Sequence, residues 1–221
     1  MSASPAPPTL PALAVSPALD RPRWRNAALY LAAGWSGCFV MGVELLGGRL
    51  MAPYFGSSIF VWGALIAVFM AALAVGYLLG GQLSLRRPSI TGLGLLLIAE
   101  AVLSLPIVFW SDALFDALSY AIDDPRYGAL LASLLMYTAP TVVCGMVSPY
   151  AVRLLVDDVA RSGHSAGRLY FASTLGSAAG TLLTTFYLVL LFEIDTIVLG
   201  LIAVSCVIGA GLCAGDRRRA R

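Results

Sequence analysis

Six apolar stretches of roughly twenty residues each punctuate the sequence, and arginine collects in the short segments between them. A run of that length covers the ~30 Å of hydrocarbon in a bilayer when it is helical. Inside lipid every backbone polar group needs an internal partner, which leaves helices and closed barrels as the structures that can cross. The runs lack the period-two alternation of a barrel strand, so helices are expected. Composition agrees: 59% of the 221 residues are hydrophobic and 12% are charged, against roughly one charged residue in four for a soluble domain. The expected fold is an all-α integral membrane protein with spans near 27–47, 59–81, 91–110, 128–152, 168–191 and 196–214.

Orientation follows from where the cations lie. All fourteen basic residues are arginines. With the amino terminus inside, Arg21, Arg23, Arg25, Arg86, Arg87, Arg153, Arg161, Arg168, Arg217, Arg218, Arg219 and Arg221 fall on the cytoplasmic side, and Arg49 and Arg126 outside. That asymmetry predicts both termini in the cytoplasm of a cell with a bacterial-type inner membrane.

Residues 1–26 read as a disordered Pro/Ala-rich cytoplasmic tail, 27–214 as the transmembrane domain and 215–221 as a basic cytoplasmic tail. The arginines before the first apolar run resemble the start of a signal peptide, yet the run continues to Leu46 past any cleavage point, so it reads as an uncleaved span. Ser36-Gly37-Cys38 has only a faint likeness to a lipoprotein cleavage site. Cys38, Cys144, Cys206 and Cys213 sit in apolar segments without a C-x-x-C pair or a neighbouring histidine, and read as small buried hydrophobes rather than metal ligands. His164, the only histidine, reads as an exposed loop residue.

Between the third and fourth spans, Leu114, Phe115, Leu118 and Ile122 recur at near-helical spacing with Asp112 and Asp116 on another face, which predicts a short interfacial helix within 111–126. Asp123 and Asp124 extend that acidic face. Gly76, Gly80 and Gly81 close the second span and Gly176 and Gly180 lie in the fifth, the latter at G-x-x-x-G spacing. Small residues let helix backbones approach, so these predict packing between spans two and five.

Two acids stand where lipid makes them costly: Glu44 near the outer end of the first span and Glu100 near the middle of the third. Glu44 and Arg49 point apart on a continuous helix, but a break at Gly47 and Gly48, with Pro53 preventing its resumption, would bring them together as an ion pair or a substrate site. Glu100 has no local mate. It reads either as a neutral acid held by hydroxyl and backbone groups of neighbouring spans, or, with Glu44, as a cation or proton site between helices. Pro149, ahead of Arg153, predicts an interruption in the inner half of the fourth span. Cys38 to Leu50 and Cys144 to Leu154 also share a faint pattern across a two-residue gap, which raises a three-plus-three inverted repeat.

Together these motifs look familiar. Glu44-Leu-Leu-Gly-Gly-Arg49-Leu-Met-Ala-Pro53-Tyr-Phe-Gly56-Ser57-Ser58, Trp62 and Gly76-Tyr77-Leu-Leu-Gly80-Gly81 resemble the membrane module of the spermidine-synthase-like membrane proteins, some of which are described as fused transporter and spermidine synthase. Gly145 to Pro149 with Arg153, and Gly167-Arg-Leu-Tyr170-Phe-Ala-Ser-Thr174-Leu-Gly176-Ser-Ala-Ala-Gly180-Thr181, look like its later signatures. In that family a cytoplasmic aminopropyltransferase-like domain, using decarboxylated S-adenosylmethionine and a polyamine acceptor, often follows the module. This chain ends at Arg221 without the glycine-rich cofactor loop or catalytic acids of such a domain, so no enzymatic residue carries over.

The resemblance therefore implies a membrane subunit that anchors a separately encoded soluble synthase-like protein and handles a small cationic solute. The alternatives are an autonomous secondary transporter working through Glu44, Arg49 and Glu100, and a purely structural membrane protein. No cofactor, metal or nucleic acid is expected, and the lipid bilayer is the expected surrounding.

Overall fold

The computed structural model describes residues 23–86, 88–156 and 162–217. Among these residues all regular structure is helical: α1 (Arg23–Phe55), α2 (Ile59–Leu83), α3 (Ile90–Phe109), α4 (Ser111–Ala121), α5 (Pro125–Leu155), α6 (Ser162–Leu183), a π-helical turn (Thr184–Leu188), α7 (Val189–Leu191) and α8 (Ile194–Arg217). Six helical rods, with α6 running through the π turn into α7, are long and apolar enough to cross a membrane. The chain is a multi-pass membrane protein. Of the expected tails, 1–26 and 215–221, residues 1–22 and 218–221 lie outside the described residues, whereas 23–26 and 215–217 are helical, as parts of α1 and α8.

Local chemistry sets the boundaries. Ser89 caps α3 by accepting from Gly92 N–H at 2.9 Å, and Asp124 caps α5 through Arg126 N–H at 2.9 Å. Pro125 at the first helical position forfeits no bond that the helix needs there. Gly56, at φ +80°, turns the chain out of α1 toward α2, a conformation that a Cβ disfavours.

The helices pair in a defined way. α2 lies along α5, α1 along α6, and α3 along α8, with α5 also contacting α3 and α1. Glycine brings the backbones together. A Cβ on Gly80 would stand 2.6 Å from Met146 Cα, and one on Gly180 2.6 Å from Cys38 O. Gly76 meets Val142 and Gly145 one turn before, as Gly176 meets Gly34. Residue numbers rise together along both seams, so each pair is parallel. Gly94 and Gly209 face each other across α3 and α8, where a Cβ on either would be 2.6 Å from the other's carbonyl oxygen, and these two helices are antiparallel.

Several sequence expectations change. The glycines of spans two and five do not seat on one another: Gly76 and Gly80 seat on α5, Gly176 and Gly180 on α1, and Gly81 faces open space. α1 does not break at Gly47 and Gly48, because the Tyr137 and Trp62 rings rest on them and fill the room a kink would open. Pro53 is accommodated in the last turn of the same helix. α5 likewise continues through Pro140 and Pro149 without interruption, since one missing N–H leaves the flanking helical bonds and tertiary packing in place. His164 is exposed but lies in the first turn of α6 rather than in a loop. Of the cysteines, Cys144 is fully packed and Cys38, Cys206 and Cys213 are half-buried.

The interfacial helix is α4. Phe115 is buried against Tyr54 and Phe55 with edge-on ring contacts, while Asp112 and Asp116 are exposed. Its apolar face thus closes one end of the bundle.

Candidate functional site

Glu100 lies midway along α3 with 0% of its surface exposed. Three other helices converge on its carboxyl. Ser36 Oγ on α1 donates to Oε2 at 3.0 Å, and Ser205 Oγ on α8 donates to Oε1 at 2.9 Å. The Cys144 thiol on α5 also faces the carboxyl. Trp35 Nε1–H donates to Ser205 Oγ at 2.7 Å, which fixes that hydroxyl from behind. One turn along α3, Ser104 Oγ donates to the Glu100 carbonyl at 2.8 Å.

No cation partners this carboxyl among the described residues. A charge sealed in a low-dielectric interior without a counterion costs several kcal/mol. Two hydroxyl donors lessen that cost without removing it. Removing Glu100 would also leave Ser36 and Ser205 to find other partners.

The remaining candidates stand apart from it. Ser36, the α1 residue that meets Glu100, precedes Glu44 by eight positions, or about 12 Å of helix rise. Glu44 is half-buried and makes no ion pair or hydrogen bond among the described residues. Because α1 is continuous, Arg49 points elsewhere, so the Glu44–Arg49 ion pair does not form. Arg49 instead lines a cleft of about 370 Å³ at the α4 end of the bundle, with Asp112, Glu193 and Asp195 and the apolar Leu50 and Phe192. Tyr54 Oη donates to Asp112 Oδ1 at 3.1 Å there. Arg153 and Pro149 lie toward the opposite end, where Arg153 is exposed.

Among the described residues acids gather at one end and arginines at the other, where Asp216 accepts from Thr91 Oγ1 at 2.6 Å. Near α4 stand Asp112, Asp116, Asp123, Asp124, Glu193 and Asp195 with Arg49 and Arg126, the last paired to Asp124 at 3.2 Å. At the other end Arg86, Arg153 and Arg168 are exposed, Arg168 over the Tyr30 ring at 5.4 Å. Arg25 there donates to the Leu154 carbonyl at 3.3 Å.

Sequence reasoning located Glu100 but not its partners Ser36, Ser205, Trp35 and Cys144. A lone serine in the middle of an apolar span, as at Ser205, was the available signal: in lipid a hydroxyl at that depth needs a bond. Glu193 and Asp195 beside Arg49 were also missed. Among the described residues no three metal-ligating side chains converge. No protein-family model, curated protein or solved structure matches the chain.

Proposed function

We propose that the chain is a proton-linked carrier of a small cationic solute, with Glu100 as its proton site. The observation that carries this reading is a fully buried carboxyl held by hydroxyls from two other spans. Intramembrane acids are expensive, and relay or coupling roles are what commonly keep them in place. The acid-rich end supports a cation as solute, because a mouth lined by one sign of charge concentrates the opposite ion.

An inverted repeat is part of the proposal. Exchanging α1 with α5, α2 with α6 and α3 with α8 maps the α2–α5 seam onto the α1–α6 seam and returns the α3–α8 pair to itself. Gly76 and Gly80 then correspond to Gly176 and Gly180. Glu100 lies on the self-paired α3–α8 contact, where two such halves rock against each other in carriers of this architecture. The positive-inside rule puts the Arg86, Arg153 and Arg168 end in the cytoplasm, and hence both termini. An accessibility reporter at Gly163 reading external and one at Ile122 reading cytoplasmic would reverse this orientation.

The test is a purified chain in vesicles enclosing a pH-sensitive dye, challenged with outward and inward gradients of putrescine or spermidine. Solute-driven proton movement in the wild type, lost in Glu100→Gln, is the expected result. No proton movement with either amine in the wild type contradicts a proton-linked polyamine carrier.

A second reading rests on the basic end. Exposed Arg86, Arg153 and Arg168 offer a docking face for an acidic soluble protein, such as the synthase-like partner that the family resemblance implies. Mild crosslinking of membranes followed by affinity purification should recover a synthase-like protein, and Arg153→Glu with Arg168→Glu should lose it.

A further inference from the structure

We propose that Ser36 is the positioning residue that lets Glu100 exist both with and without its proton, and that the proton resides on Oε2, the oxygen that faces Ser36. The inference rests on the reading of Glu100 as a proton site and adds an atomic account of how the site works.

The two carboxyl oxygens have unequal partners. Oε1 is met by Ser205, whose oxygen already receives the Trp35 indole N–H at 2.7 Å. Indole only donates, so it occupies a lone pair of Ser205 and leaves that residue's single hydroxyl proton for Oε1 at 2.9 Å. Among the described residues Ser205 has no second acceptor within bonding geometry. Oε1 is therefore an acceptor in both charge states.

Oε2 faces a hydroxyl with a choice. Ser36 Oγ lies 3.0 Å from Oε2 and 3.5 Å from the Cys144 carbonyl oxygen, with the Cys144 thiol also in reach, and has one proton to give. With Glu100 ionised, Ser36 donates to Oε2. With Glu100 neutral, Oε2–H donates to Ser36 Oγ, and the serine hydroxyl turns to the Cys144 carbonyl. Ionisation breaks the Oε2–H bond, the proton leaves to water that reaches the site when the surrounding helices part in the carrier's cycle, and one hydroxyl rotation restores the other pattern. Every polar atom keeps a partner throughout, which matters where an orphaned group cannot turn to water. The titratable side chain facing the carboxyl is Cys144 on α5, whose thiol is a weak donor in either state. α1 and α8 present only hydroxyls and the indole.

Infrared difference spectra of the purified full chain in lipid, acidic minus alkaline, test this directly. The neutral carboxyl band is identified by its disappearance in Glu100→Gln. Ser205→Ala should raise the carbonyl stretch, because the C=O oxygen loses its donor. Ser36→Ala should leave that stretch near its wild-type position while the deuterium-sensitive C–OH mode loses its hydrogen-bonded character, and Ser36→Thr should restore it. Trp35→Phe, which leaves the carboxyl and both serines in place, should broaden or split the band by freeing Ser205 to accept. A raised carbonyl stretch in Ser36→Ala rather than Ser205→Ala would move the proton to Oε1 and overturn the assignment. So would the absence of any Glu100 band, or a Trp35→Phe spectrum identical to the wild type if the serine variants do not fold. These spectra need no transported solute. Failure in vesicles alone discards the carrier reading and leaves the Ser36 assignment standing; a Glu100 band that answers to the wrong serine discards only the assignment, and the absence of any Glu100 band discards both.

Discussion

The glycine seams and the Glu100 centre hold the same helices together by opposite means. Along α2–α5 and α1–α6 the contact is backbone on backbone, made possible by side chains that are absent. At the centre, α1, α3, α5 and α8 meet through side chains that are present and polar. In lipid there is little hydrophobic drive between helices, so close packing and interhelical hydrogen bonds must supply association. The seams supply the first and the centre the second. A seam has no room to give, whereas a hydroxyl or carboxyl can rotate and find another partner. Rigidity therefore belongs to the seams and adaptability to the centre.

That contrast breaks if the seams tolerate bulk. Gly180→Leu drives a side chain into the Cys38 backbone, and should cost about 3 kcal/mol or more, because overpacking against backbone cannot relax. Loss of the folded species on detergent chromatography is the expected readout, with Gly76→Leu behaving alike on the other seam. At the centre, Glu100→Leu lets Ser36 turn to the Cys144 carbonyl but leaves the Ser205 hydroxyl without its acceptor, so the cost should be roughly 1–3 kcal/mol, and the variant should purify folded. Trp35→Phe removes a single 2.7 Å bond and should cost about 1 kcal/mol in denaturant titration. Gly81→Ala meets nothing within 4 Å and should be neutral or stabilising by up to about 1 kcal/mol through helix propensity. A Gly81→Ala loss as large as that of Gly180→Leu would erase the distinction between seam and open glycine.

Much of the fold was legible in the sequence, for a definite reason. Lipid imposes helix on any apolar run of sufficient length, so the six spans and the α4 amphipath follow from hydropathy and spacing. Their ends shifted outward, as with α1 running from Arg23 to Phe55, because helices extend into the interface beyond the apolar run. Partner choice was not legible. Gly76 and Gly176 announce close approach, but only tertiary packing says that each meets a different helix. Local breakers misled too: Gly47, Gly48, Pro53 and Pro149 signal interruption by propensity, yet Tyr137, Trp62 and neighbouring spans hold the helices through them. Glu100 was conspicuous as a charge in an apolar run. Its network was not, because Ser36, Cys144 and Ser205 are separated from it by 64, 44 and 105 positions.

Net uptake and exchange, compared in one set of vesicles, probe the assignment of Glu100 most closely. A carrier that has lost only its proton site still swaps internal for external solute but no longer accumulates it against a gradient. Glu100→Gln is predicted to retain labelled-polyamine exchange while losing pH-driven accumulation. Accumulation equal to the wild type in a folded Glu100→Gln protein would show that the buried carboxyl carries no coupled proton.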